Sequence, residues 1–152
     1  MYLSSMDGIF TKSFPVPGAA IDAQGHVNNI VYLQWMQDIA IDHTTAVGWP
    51  MERYISVGCA WVARSHYIEY LRPAFKDEPI TIYTWISGME HKSCPRHYLF
   101  TRDTDRAVLG RAKTVWVYVD MKSGRAIPIP EDMRASFPFH LDPPKAEAAL
   151  GF

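Results

Sequence analysis

Apolar and polar positions change their period twice along this chain. From Ile30 to Val47 the apolar residues recur every three or four places: Val31, Trp35, Ile39 and His43 share one ridge, and Tyr32, Met36 and Ala40 share the next. Gln34, Gln37 and Asp38 interrupt only the margin, so the spacing predicts a long and mostly buried helix. Asn28 or Asn29 suits its N-cap, because an Asn oxygen can accept an orphan N–H. Gly48-Trp49-Pro50 ends it, since glycine permits a left-handed cap and proline cannot continue. Ile9 to Val16, limited by Pro15 and Pro17, suits a first strand. From Val57 onward β-branched and aromatic residues dominate, predicting strands over Val57–Leu71, Ile80–Met89, His97–Arg102 and Val108–Met121. Arg72-Pro73, Ser93-Cys94-Pro95 and Asp103-Thr104-Asp105 separate them. Such short connections predict an antiparallel meander. Ser123-Gly124 turns the chain, Pro130-Glu131-Asp132 opens a short helix, and the tail after Pro143-Pro144, about residue 143 onward, has little to pack and is expected to be loose.

The strand patterns bear on assembly. Ile80, Ile82 and Ile86 share one face while Tyr83 and Trp85 share the other, and Val115, Val117 and Val119 oppose Trp116 and Tyr118. One helix covers one sheet face, and no second long helix is evident for the other. The expected cover is another subunit.

Composition narrows the class. A chain of 152 residues, 48% of them hydrophobic, suits a single domain over 1–152 with a sizeable core. Fifteen basic residues against 16 acidic, a formal net charge of −1, give no long-range attraction for nucleic acid or an anionic membrane. Met1–Phe10 lacks a basic region followed by an apolar run, and no stretch approaches the ~20 apolar residues that span a bilayer. With only Cys59 and Cys94, the expectation is a cytoplasmic protein with reduced thiols.

The loop Asp22-Ala23-Gln24-Gly25-His26-Val27-Asn28-Asn29 concentrates the chemistry. A helix start offers unpaired N–H groups and partial positive charge. A carboxylate beside such donors is what addition of water to an acyl carbonyl requires. Carboxylates are ionised at neutral pH, so Asp22 can take a proton from water or attack the carbonyl carbon; a turn-forming aspartate is the plainer alternative. Backbone amides around Gly25, His26 and Val27 are the oxyanion candidates, with Gly25 serving close approach, positive φ, or the turn alone. His26 either positions water or is structural. Asn28 either orients water or Asp22, or caps the helix. Tyr32 reads as a core aromatic, with acyl-pocket lining as the alternative. His91-x-x-Cys94-x-x-His97 has metal-like spacing, yet it crosses a strand turn, includes Pro95 and lacks a fourth ligand, so no metal is expected. No G-x-S-x-G elbow or Gly-rich phosphate loop is present.

The order strand, acidic loop, buried helix, four strands resembles the hotdog-fold thioesterases of the 4-hydroxybenzoyl-CoA thioesterase type. The resemblance spans roughly Phe10 to Phe137. It is carried by the loop together with Tyr32-Leu33, by His66-Tyr67-Ile68-Glu69-Tyr70-Leu71-Arg72-Pro73-Ala74, and by Gly110-Arg111-Ala112-Lys113-Thr114-Val115-Trp116-Val117-Tyr118-Val119-Asp120. It implies an α+β hotdog, an antiparallel sheet wrapped around one long central helix. It also implies a homodimer or homotetramer with active sites at the subunit interface, and cofactor-free hydrolysis of an acyl-CoA or acyl-carrier-protein thioester. Asp22 takes the position of the usual catalytic carboxylate. Ala20 replaces the first acid of the family's D-x-D, and Gln37 stands, beside Asp38, where many relatives carry a helical glutamate. Arg64, Arg72, Lys92, Arg96, Arg111 and Lys113 offer contacts to CoA phosphates. The rival readings are a hotdog hydratase or dehydratase acting on enoyl or hydroxyacyl thioesters, and a non-catalytic acyl-CoA-binding module. The first is disfavoured by the absence of D-x-N-P-x-H, the second by the lack of room for an attached DNA-binding segment.

Overall fold

Strand β1, Phe10–Pro15, enters the fold beside the long helix α1, Asn29–Ala46. A computed structural model describes residues 8–152 of the chain. Much of the stretch read for a leader, residues 1–7, lies outside the described residues. The N-cap of α1 is Asn28, whose side-chain oxygen accepts from the Ile30 amide at 2.9 Å. Tyr32, Trp35, Met36, Ile39, Ala40 and His43 form the buried face that the periodicity predicts. A short helix missing from the sequence reading, α2, spans Met51–Val57 and ends on a left-handed Gly58 at φ 69°.

Strands β2 (Cys59–Tyr70), β3 (Pro79–Ile86), β4 (Ser93–Arg102) and β5 (Val108–Asp120) complete a five-stranded antiparallel sheet. Its order is β1-β3-β4-β5-β2, which corrects the simple meander. Only β3, β4 and β5 follow one another. The connection over residues 71–78 is too long for a tight hairpin and carries the chain past β5 and β4 to β3, next to the edge strand β1, so β2 pairs with β5 instead of β3. Strand β4 also starts earlier than the proline suggested. Pro95 pairs with Val115 of β5 but lies past the last β3 partner, Ile86 opposite Arg96, so its missing N–H breaks no bond to β3.

One sheet face wraps α1. Ile80 and Ile82 of β3, Tyr98 and Phe100 of β4 and Ala112 of β5 pack against Tyr32, Trp35, Met36 and Ile39. The opposite face corrects two expectations together. The tail folds as helix α4, Pro143–Leu150, after the short helix α3, Glu131–Ser136. Ala146 of α4 is 0% exposed and joins Ile9, Trp85 and Leu99 in a second core, with Tyr83 and Phe152 at its edge. Arg111 of β5 holds Glu147 through Nε and Nη2, at 2.7 Å for the shorter contact. The chain therefore covers the outer face of β3 and β4 itself. Among the described residues, the edge strand β2 stays open, with Val62, Tyr67 and Tyr70 exposed.

Among the described residues, no helix is long and apolar enough to cross a membrane.

Candidate active site

The loop ahead of α1 is a small closed turn. The amide of Asp22 donates to the His26 carbonyl and the Gly25 amide to the Asp22 carbonyl, both at 3.0 Å. Gly25 sits at φ 86°, and a Cβ there would meet nothing within 4 Å. Of the readings taken from sequence, positive φ within the turn is the one that requires glycine; close approach within this chain is not. Asp22 is half-buried, and its Oδ1 accepts from the Gln24 amide at 2.9 Å. Its Oδ2 accepts no hydrogen bond from the described residues. One carboxylate oxygen thus orients the group while the other is open.

The oxyanion assignment narrows. The Val27 amide donates to the Ala74 carbonyl at 2.9 Å, and the Gly25 amide is held inside the turn. An N–H already donating to a carbonyl is poorly placed to meet a second oxygen. Only His26, of the three, has an amide that donates to no described group. Its ring is half-buried, with Nδ1 3.3 Å from the Val27 carbonyl. A carbonyl can only accept, so Nδ1 carries the hydrogen and Nε2 is left as an acceptor. Asn28 caps α1 with its oxygen, which leaves its NH₂ group for any other task.

Tyr32 belongs to the core. It packs edge-on against Trp35, Tyr70 and Phe100, and burial raises its hydroxyl to about 12. It does not line the main cavity. That cavity, of about 210 Å³, lies along the second half of the helix, from Gln37 to Thr44. Gln37, Ala40 and Thr44 of α1, Trp61 of β2, Arg96 of β4 and Trp116 of β5 are among its walls. Asp22 is absent from its lining. The structure thus gathers Asp22, Gly25, His26 and Asn28 into one loop but does not bring them to the cavity within a single chain.

The remaining sequence candidates separate. Cys94 and His97 are three apart on β4 and face opposite sides. Cys94 lines the cavity, with burial pushing its thiol up to about 12. His97 stacks on Trp85, its ring 5.9 Å away, and shares a 2.7 Å hydrogen bond with Ser87; burial lowers it to about 4. Among the described residues no His, Cys, Asp or Glu cluster is suited to a metal. Of the basic residues suggested for phosphate contact, Arg96 is interior and Arg111 is engaged by Glu147, whereas Arg64, Arg72, Lys92 and Lys113 are exposed.

Sequence reasoning missed the cavity. Its walls come from α1, α2, the four strands β2 to β5 and α3's end at Phe137, and no local spacing announces such a meeting. The one signal was an arginine on the apolar face of β4.

Comparison with known proteins places this geometry. The profile of the thioesterase-like superfamily matches residues 16–137, and the chain belongs to that superfamily. Among proteins of known activity, the long-chain acyl-CoA thioesterase FadM of Escherichia coli K12 is 25% identical over 122 residues, covering 78% of this chain and 89% of that protein. Slr0204, a 1,4-dihydroxy-2-naphthoyl-CoA thioesterase from Synechocystis, superposes with a TM-score of 0.79 at 21% identity, over 86% of this chain and 96% of that one. SAV2348 from Staphylococcus aureus, solved in complex with CoA, gives 0.83 at 13% identity, over 92% and 90%. The fold is the hotdog, and the chain is a thioester-hydrolysing enzyme by family.

Proposed function

We propose that this protein hydrolyses an acyl-CoA thioester to a carboxylic acid and free CoA, with Asp22 as the reacting carboxylate and no cofactor. The observation that carries this reading is the Asp22 turn: one carboxylate oxygen is fixed by the Gln24 amide, the other is open, and the unengaged His26 amide lies in the same loop. The open oxygen takes a proton from water or attacks the carbonyl carbon, and the His26 amide meets the oxygen that gains charge. His26 Nε2 and the Asn28 NH₂ group are the polar atoms left to hold water. The named relatives support an acyl-CoA substrate.

Two copies of the chain complete the site in this reading. Strand β2 is a long edge strand with one side of its ladder unpaired, flanked by exposed Ile30, Val62, Tyr67 and Leu71. Its end lies against the Asp22 loop, since the Tyr70 hydroxyl donates to the Asn29 carbonyl at 2.9 Å. Its start, at Ala60 and Trp61, lines the cavity. Antiparallel pairing of β2 with its two-fold mate sets the start of one strand beside the end of the other. The Asp22 loop of one copy then meets the cavity of its partner. The free thiols of Cys59 and Cys94 fit a reducing compartment such as the cytoplasm.

Colorimetric thiol release over a panel of acyl-CoAs tests the reading. Wild-type protein turns over at least one of them, and Asp22→Asn lowers kcat by about 10²–10⁴-fold. Near-wild-type turnover by a folded Asp22→Asn protein removes Asp22 from the chemistry.

A further inference from the structure

Arg96 is 5% exposed, on the inward face of β4. Nη1 donates to His43 Nδ1 at 2.8 Å and to Thr84 Oγ1 at 3.1 Å. Both partners are neutral: Thr84 carries no charge, and burial together with the nearby guanidinium depresses His43 to about 2. A guanidinium keeps its charge inside proteins, so this one is paired only with neutral acceptors. No Asp or Glu among the described residues forms an ion pair with it, and none lines the cavity. Nε and Nη2 make no hydrogen bond to a described protein group, yet neither is among the sealed, unbonded atoms. Arg96 itself lines the cavity. Around it the wall is apolar, including Ile86, Met89, Trp116 and Phe137.

We propose that Arg96 makes this cavity selective for acyl groups that carry an anionic oxygen at the end remote from the thioester, such as ω-carboxyacyl chains. This rests on the thioesterase reading above and names its substrate class. A lone cation in a low-dielectric wall attracts an anion strongly, because little water competes for either charge. The fork of remaining donors suits a carboxylate. Size agrees: an apolar cavity of ~150 Å³ admits a benzene ring, so about 210 Å³ admits a six-carbon chain with a terminal carboxylate. A plain alkyl end of the same length would press against the guanidinium and leave its donors without partners. Arg96 is thus a specificity-determining residue and takes no part in the bond that breaks.

The test compares thiol release from adipoyl-CoA and hexanoyl-CoA, which differ in the terminal carboxylate. Wild-type kcat/KM favours adipoyl-CoA by tenfold or more. Arg96→Met loses at least 30-fold on adipoyl-CoA and little on hexanoyl-CoA, reversing the order. Arg96→Lys, which keeps the charge, retains a smaller preference for adipoyl-CoA. The wild-type ratio decides even if Arg96→Met fails to fold. Equal or better turnover of hexanoyl-CoA overturns the Arg96 assignment while leaving the thioesterase reading intact. No thiol release from any acyl-CoA removes both.

Discussion

The two ends of α1 do different things. At the start, a polar and half-exposed turn holds Asp22 and His26 close to unengaged backbone. At the far end, an apolar cavity holds one buried cation, Arg96, against a buried and neutral His43. A reacting carboxylate needs water within reach, and a helix start supplies donors there. An acyl group needs apolar walls, and those occur where α1, α2 and the sheet converge. The contrast teaches that the Asp22 turn and the cavity are separate features of one chain: the turn precedes α1, and the cavity is lined by its second half, from Gln37 to Thr44.

This comparison can be broken from either end. The largest effect belongs to the start: Asp22→Asn removes turnover by orders of magnitude while binding of the acyl group, made elsewhere, is retained. A product-inhibition constant that shifts as much as kcat would merge the two ends into one function.

The far end is sensitive to acid. Burial first, and Arg96 second, lower His43 to about 2 from an ordinary 6.5. Between these values the unfolded chain binds a proton that the folded chain does not. The His43 contribution is therefore complete above about pH 6.5 and declines as pH falls toward 2. By pH 4 the loss is about 3 kcal/mol. Urea unfolding of wild type and His43→Gln at pH 7 and pH 4 measures it, with the difference between the two proteins cancelling the smaller share of His97. Parallel losses in both would mean that His43 accepts a proton in the folded state.

The smallest effect tests the start again. Asn28→Ala removes the cap to the Ile30 amide and costs about 1 kcal/mol of stability. If Asn28 also holds water for the reaction through its NH₂ group, kcat falls as well. Asn28→Ser, which caps but lacks that group, separates the two: stability returns and kcat does not.

Legibility in the sequence followed how local each signal was. Helix α1 was readable because its ridges and the Asn28 cap lie within one stretch. The strands were readable from their alternation. Helix α2 escaped because it is only seven residues long, so its one apolar repeat, Met51, Tyr54 and Ile55, is too short to set a period against the strand that follows. Helix α4 escaped because its anchor is a single alanine, Ala146, whose burial depends on Trp85 and Leu99 far away in sequence. The Asp22 loop announced its residue types, but which amides were free depended on Ala74, a partner from the distant 71–78 connection. Arg96 looked like one basic residue among several until the sheet turned it inward.

Mixed oligomers test the joining of the two ends most directly. Asp22→Asn disables the reacting end, and Gln37→Trp, at an exposed position on the cavity wall, plugs the other. Each variant alone is inactive in thiol release, with scattering used to check that both still assemble. Co-expressed in equal amounts, they recover roughly a quarter of wild-type turnover if each site takes Asp22 from one copy and the cavity from its two-fold mate. Mixed oligomers that form but recover nothing would contradict a site shared between copies.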